Sequence, residues 1–132
     1  DQALGVHARV DALDGGLVRV TSPRTLAKGW YRLVVEFTND FNTQANSLYR
    51  LSVAGESYTF TQFESDDARE AFPCWDEPAF KIPYRMILTV PGEHLAVSNM
   101  PVESERAEGG WRRVTFAASP PPRTRSPPPS PT

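Results

Sequence analysis

Carboxylates crowd the middle of the chain, and one of them stands beside a polar side chain in a position suited to binding. The acidic positions lie between residues 64 and 77 and are Glu64, Asp66, Asp67, Glu70, Asp76 and Glu77. Most such runs are solvated surfaces or helix caps. Strand alternation, however, places Gln62 and Glu64 on one face where a predicted strand ends, and a strand end is a rigid place from which to project polar groups. We interpret this pair as a candidate binding site.

The histidines and the cysteine are weaker candidates for chemistry. His7 and His94 are the two histidines of the chain, and neither has a second histidine four residues away, as an H-E-x-x-H zinc site requires. We therefore expect no metal site in this chain. Cys74 is the one cysteine, so an intrachain disulfide is excluded, and no pattern places a histidine base beside it. We expect a small buried thiol near Phe72 and Trp75 rather than a nucleophile.

Alternating apolar and polar residues predict an all-β fold. Turn residues at 14–16 and 54–57 predict two hairpins. Many short strands separated by turns are typical of an antiparallel sheet or sandwich. The predicted strands cover residues 6–10, 17–20, 31–37, 49–53, 58–63, 82–90, 95–98 and 111–117.

One stretch departs from the strand rhythm. Residues 65–72 contain helix formers with acidic residues at their start, which predicts one short helix near 66–72 with Ser65 or Asp66 as its N-cap. Pro73 follows and cannot continue the helix. Arg69 and Asp76 are candidates for an ion pair between this helix and the turn after it.

Composition excludes several classes of partner. The chain has 132 residues and a formal net charge of -2, so it shows neither a nucleic-acid footprint nor a basic membrane patch. No apolar run approaches the roughly 18 residues of a membrane span. The first residues lack the features of a signal peptide and the chain lacks an initiator Met, so we interpret it as a fragment. We expect a cytoplasmic location, and an upstream signal or anchor stays open.

The end of the chain has a different composition. Residues 120–132 hold 7 of the 13 prolines and otherwise contain only Arg, Ser and Thr. Nothing in this segment can join a core, so we expect residues 1–119 to form a partial β-domain and residues 120–132 to form a disordered Pro-rich tail. A proline-rich binding ligand is the alternative interpretation of the tail.

Residues 61–81 carry a long motif. They read T-Q-F-E-S-D-D-A-R-E-A-F-P-C-W-D-E-P-A-F-K. This segment resembles the signature T-Q-F-E-x-x-D-A-R-x-A-F-P-C-[FW]-D-E-P-x-x-K of zinc aminopeptidases of the aminopeptidase N / puromycin-sensitive type. Residues 29–37, 48–50 and 98–101 resemble further pieces of that family, although Ser47 stands where the family usually has Gly. The resemblance extends over about residues 15–119.

The resemblance implies a role in a larger enzyme. In that family a large N-terminal β-domain lies beside a thermolysin-like catalytic domain that carries G-x-M-E-N and the zinc motif H-E-x-x-H. Neither motif occurs here, so we expect this chain alone to be inactive and the zinc to belong to the parent enzyme. The resemblance further implies that Glu64 holds the free α-amine of a peptide substrate. It implies that Gln62 lines the pocket for the first side chain.

Three functions remain open from the sequence. The first is a substrate-anchoring N-terminal domain fragment of a zinc aminopeptidase that removes N-terminal residues from peptides. The alternative is a stand-alone β-sandwich module that binds without catalysis, and the third is a structural interaction domain with a Pro-rich tail. Because missing strands leave open sheet edges, we also expect marginal folding and oligomers when the chain is isolated.

Overall fold

The computed structural model describes residues 5–77, 80 and 82–120, and the chain divides into two compact units, residues 1–77 and 78–132. The strands pair in antiparallel ladders, and the described residues contain one short α-helix. The predicted all-β class is therefore confirmed. The elements are β1 (Arg9–Ala12), β2 (Val18–Thr21), β3 (Ser47–Val53), β4 (Glu56–Gln62), α1 (Ala68–Ala71), β5 (Ile87–Pro91), β6 (Val102–Glu108) and β7 (Trp111–Phe116).

The first unit contains both predicted hairpins. β1 pairs with β2 from Arg9↔Thr21 to Ala12↔Val18, across a turn at Asp14–Gly16. β3 and β4 are joined by a two-residue loop in which Ala54 has a φ of 53° and Gly55 a φ of 88°. Positive φ at both central positions is typical of the type I′ turn, whose twist matches that of the flanking strands. The sequence thus specifies this register through its turn.

The short helix α1 begins after Asp67, so the prediction of a cap at Ser65 or Asp66 is wrong. Asp67 is the N-cap residue and its side chain makes no capping hydrogen bond, while the Ser65 hydroxyl donates to the Asp66 carboxylate at 2.9 Å. At the other end the Phe72 N–H donates to the Ala68 carbonyl, and Pro73 then ends the helix as expected. Ala71 is buried and anchors α1 in the first unit.

The second unit is a three-stranded sheet in the order β5-β7-β6. Alternation along β7 buries Val114 and Phe116, each only 1% exposed, as the core of this unit. Gly109 and Gly110 both have positive φ and form the two-residue connection from β6 to β7. The predicted strand at 111–117 is confirmed, and the strand predicted at 82–90 is limited to Ile87–Pro91.

Two predicted strands are absent from the described part of the chain, and one observed strand was missed. Residues 31–37 and 95–98 form no ladder, although their sequences alternate, because alternation produces a strand only where a neighbouring strand offers hydrogen bonds. Val34 is 74% exposed and Leu95 80% exposed. The missed strand is β6, whose run of charged residues hides its pairing with β7.

Two further predictions about architecture are not settled by these elements. The described strands form separate sheets of two, two and three strands, so the sandwich arrangement stays a prediction. The predicted tail lies, from residue 121 onward, outside the described residues, as do positions 78, 79 and 81 of the motif. Within the described ranges, no helix is long and apolar enough to span a bilayer.

Candidate functional site

Gln62 and Glu64 lie where β4 ends. Gln62 is the last residue of that strand, opposite Ser47, and Glu64 follows two residues later. Both side chains are exposed to solvent. The strand alternation used to place them on one face stops at Gln62, because the hydrogen-bonded ladder ends there. The two side chains are therefore neighbours at a strand exit and not members of one strand face.

The residue between them fixes the backbone of this exit. Phe63 is half-buried and its ring meets the ring of Phe72 edge to face, with centroids 5.7 Å apart and planes at 78°. The Phe63 carbonyl also accepts a hydrogen bond from the Asp67 N–H at 3.2 Å. Edge-to-face packing is a favoured geometry for aromatic pairs. The strand end is thus tied to both ends of the segment that contains α1.

Asn39 supports the same region from a distant part of the chain. Its side-chain amide donates to the carbonyls of Glu70 and Ala71, the latter at 3.3 Å. These are carbonyls of the last turn of α1, which lack partners within the helix. Sequence reasoning missed this residue, because an Asn 31 positions away in an irregular segment carries no local signal for the contact.

Arg69 and Asp76 form the predicted ion pair. The Arg69 Nε lies 2.8 Å from the Asp76 Oδ2, and the Arg69 backbone N–H donates to the same oxygen at 3.1 Å. The side-chain hydrogen bond from Arg69 lowers the pKa of Asp76 and raises the pKa of Arg69 above its ordinary value. The Asp76 side chain is 15% exposed. The pair holds α1 against the loop that follows it.

Cys74 is half-buried, which agrees in part with the buried thiol predicted from the sequence. It borders a small cleft of about 100 Å³ in the first unit, together with the Arg69–Asp76 pair and the turn at Asp14–Gly16. Burial raises the pKa of the Cys74 thiol, and the nearby Asp76 carboxylate raises it further, while Arg69 opposes this. A thiol with a raised pKa is a poor nucleophile at neutral pH.

The described residues do not fit a zinc ion. Within them, no group of three or more His, Cys, Asp and Glu side chains is gathered closely enough to hold a metal. His7 is exposed, and His94 is exposed beside Glu93, with 4.0 Å between the His94 Nε2 and the Glu93 Oε1. Zinc proteins use three or four such ligands around one ion. This donor set therefore offers no position for zinc.

The fold and the site together define an all-β domain with an exposed polar strand exit. The family described as Peptidase M1 N-terminal domain matches residues 2–124, and the chain belongs to this family. The match includes Gln62, Glu64 and the whole of the motif at residues 61–81. The family resemblance drawn from the sequence is confirmed.

Curated relatives carry names of aminopeptidases. The chain is 46% identical over 92 residues to aminopeptidase M1-B of Oryza sativa subsp. japonica, which covers 67% of this chain and 10% of that protein. It is 40% identical over 104 residues to aminopeptidase N of Acetobacter pasteurianus, which covers 74% of this chain and 29% of that protein. Glutamyl aminopeptidase of Rattus norvegicus is 40% identical over 96 residues, 69% of this chain and 10% of that protein. The chain thus matches about a tenth of the rice relative.

Proposed function

We propose that this chain is a substrate-anchoring piece of the N-terminal domain of a zinc-dependent aminopeptidase, which removes N-terminal residues from peptides. Membership of the Peptidase M1 N-terminal domain family supports this proposal, as do relatives that are named aminopeptidases. The observation that carries it is the exposed strand exit at Gln62 and Glu64, inside the motif that the sequence shares with that class of enzyme.

Glu64 is the proposed anchor for the substrate α-amine. An exopeptidase must recognise a chain end, and a protonated α-amine is a compact cation that a carboxylate binds through charge-assisted hydrogen bonds. The Glu64 side chain is exposed, and none of the ion pairs among the described residues includes it. Its carboxylate is therefore available to a ligand. A substrate with a blocked amine leaves that charge unpaired, which gives selectivity for free N-termini.

Gln62 is the proposed lining residue of the pocket for the first substrate side chain. Its amide carries both donors and an acceptor, so it can contact polar and apolar side chains without adding charge. The ladder pair with Ser47 holds its backbone, and the buried Ser47 is only 2% exposed. A side chain on such a rigid backbone can set the shape of a pocket wall.

We assign hydrolysis to another part of the parent enzyme, because the described residues do not fit a zinc site. The role of this chain is then to hold and orient the amino end of the substrate. Correct positioning of a bound substrate lowers the entropic part of the barrier to reaction. This division explains why a chain with an intact binding motif is expected to be inactive alone.

The test compares the 132-residue chain with a longer protein that continues through the genomic reading frame into a catalytic domain. Hydrolysis of aminoacyl fluorogenic amides is measured for both proteins, with zinc present. In the longer protein, Glu64→Ala should lower kcat/KM by about tenfold to a hundredfold, because a hydrogen bond to a charged group contributes about 1.5–3 kcal/mol. Glu56→Ala is the matched control, since Glu56 is an exposed carboxylate at the other end of β4.

The outcomes separate the functions that the sequence left open. Activity confined to the longer protein and reduced by Glu64→Ala, but not by Glu56→Ala, supports the proposal. Equal kcat/KM in the Glu64→Ala variant and the unchanged enzyme contradicts the anchoring role. Zinc-dependent hydrolysis by the 132-residue chain itself contradicts the assignment of catalysis elsewhere. If the genomic reading frame encodes no longer protein, and the inactive 132-residue chain binds free amino acids, the result supports the stand-alone module.

A further inference from the structure

The three-stranded sheet of the second unit carries a polar cleft that the aminopeptidase proposal does not use. The cleft has a volume of about 200 Å³ and lies over β6 and β7. That volume is several times the roughly 30 Å³ that one molecule of liquid water occupies. The residues that line it are Ser104, Arg106, Glu108, Arg113 and Thr115.

Strand register places these side chains on one face. Arg106 lies directly opposite Arg113, and Ser104 lies opposite Thr115. Successive side chains of a strand point to opposite faces, so Arg113 and Thr115 project away from the face that carries the buried Val114 and Phe116. The cleft is therefore on the outer face of the sheet, and both arginines are exposed.

The two arginines face each other without a compensating ion pair. Like charges directly opposite on neighbouring strands destabilise a sheet. Among the described residues, no ion pair includes Arg106 or Arg113. Arg112 lies on the other face of the same strand and forms an ion pair with Glu105, with 3.2 Å between the Arg112 Nε and the Glu105 Oε1. The fold thus neutralises the arginine on the inner face and leaves two guanidinium groups together in the cleft.

We propose that this cleft binds the phosphate group of a small molecule, either inorganic phosphate or a phosphate monoester. A guanidinium group presents a fork of N–H donors that matches phosphate oxygens, and two such groups supply both the charge and the geometry. Ser104 and Thr115 lie on one side of the arginine pair, two residues along each strand, and their hydroxyls add donors. Bound phosphate relieves the repulsion between Arg106 and Arg113. Glu108 also lines the cleft and opposes an anion, so it limits the affinity.

The experiment is a titration of the 132-residue chain with inorganic phosphate, followed by amide ¹H–¹⁵N NMR under conditions where dispersed amide shifts show that β6 and β7 are folded. Saturable shifts are expected in β6 and β7 below about 10 mM phosphate, and they should weaken with added NaCl because exposed charges are screened. Arg106→Gln and Arg113→Gln should each weaken binding about tenfold. Glu108→Gln should strengthen it about twofold to fivefold. Arg19→Gln is the matched control, because Arg19 is exposed on β2 in the other unit.

Parallel titrations with O-phosphoserine distinguish the two sources of phosphate. Tighter binding of O-phosphoserine identifies an ester as the ligand, and equal binding identifies the free ion. Thermal unfolding checks the structural argument, since Arg106→Gln removes a repulsion and should leave the unfolding temperature unchanged or higher. Absence of saturable shifts up to about 50 mM phosphate overturns the proposal. Binding that is unaffected by Arg106→Gln, or a lower unfolding temperature of that variant, also overturns it.

Discussion

The aromatic pair of Phe63 and Phe72 offers the sharpest test of how the strand exit is held. The two rings meet edge to face at 5.7 Å, and Phe63 stands between the two proposed substrate-binding residues. Leucine at either position keeps an apolar side chain and removes the edge-to-face contact. Such aromatic pairs contribute about 0.5–1.5 kcal/mol beyond the area they bury. We expect that coupling free energy between the two positions.

A double-mutant cycle measures the coupling directly. The free energy of unfolding is determined in urea for the unchanged chain, Phe63→Leu, Phe72→Leu and the double variant. Trp75 lies in the loop after α1, and its fluorescence reports on the first unit when Trp30 and Trp111 are replaced by phenylalanine in all four proteins. Each single variant should lose about 1–2 kcal/mol, and the double variant should lose less than the sum of the two. Phe37→Leu is the control, since Phe37 is 52% exposed.

Additive losses in the free energy of unfolding would refute the proposed coupling of the two rings. If the two single losses add to the double loss within about 0.3–0.5 kcal/mol, the rings do not couple, and Phe63 does not tie the strand exit to the helix segment. A loss above about 0.5 kcal/mol in the free energy of unfolding of Phe37→Leu would show that replacing phenylalanine by leucine destabilises the chain even at an exposed position. In the longer protein, Phe72→Leu should raise KM for aminoacyl amides, because the strand exit that carries Glu64 loses one of its supports.

Two further predictions concern the loop after α1 and the β3–β4 turn. The hydrogen bond from Arg69 lowers the pKa of Asp76, so its contribution to stability is complete above the ordinary pKa of 3.8 and is lost as the pH falls through the lower folded value. Asp76→Asn should therefore flatten the acid side of a plot of unfolding temperature against pH, and an unchanged plot would contradict this. Ala54→Gly should stabilise the chain by about 0.5–1 kcal/mol in urea unfolding, since Ala54 has a φ of 53° that is unfavourable for any residue with a Cβ. Gly55→Ala, at a φ of 88°, should do the opposite, and a gain in stability would refute the argument.

The hairpins were predictable because their signals are local. Gly15, Gly16 and Gly55 adopt positive φ, and each lies between two alternating segments close in sequence. A two-residue turn sets the pairing register of both strands at once. The ion pair of Arg69 and Asp76 was also predictable from the sequence, because only seven positions separate the two residues.

The strands that were predicted wrongly fall into two groups, with different physical reasons. Residues 31–37 alternate as clearly as β3 does, yet they form no ladder, since a strand depends on a neighbour that can come from anywhere in the chain. The reverse happens for β6, whose sequence V-E-S-E-R-A-E lacks an apolar face. It becomes a strand because the two-glycine turn at Gly109 and Gly110 folds it against β7, whose own alternation buries Val114 and Phe116.

The candidate site stays a prediction from residue type, and the predicted geometry of its two residues differs from the structure. The sequence placed Gln62 and Glu64 on one strand face, whereas the ladder ends at Gln62. The predicted alternation of burial is nevertheless present, because Phe63 is half-buried and its two neighbours are exposed. Packing of Phe63 against Phe72 supports the backbone between the two polar side chains. We therefore expect a substitution at Phe63 or Phe72 to change stability, and a substitution at Gln62 or Glu64, the proposed substrate-binding residues, to change substrate binding.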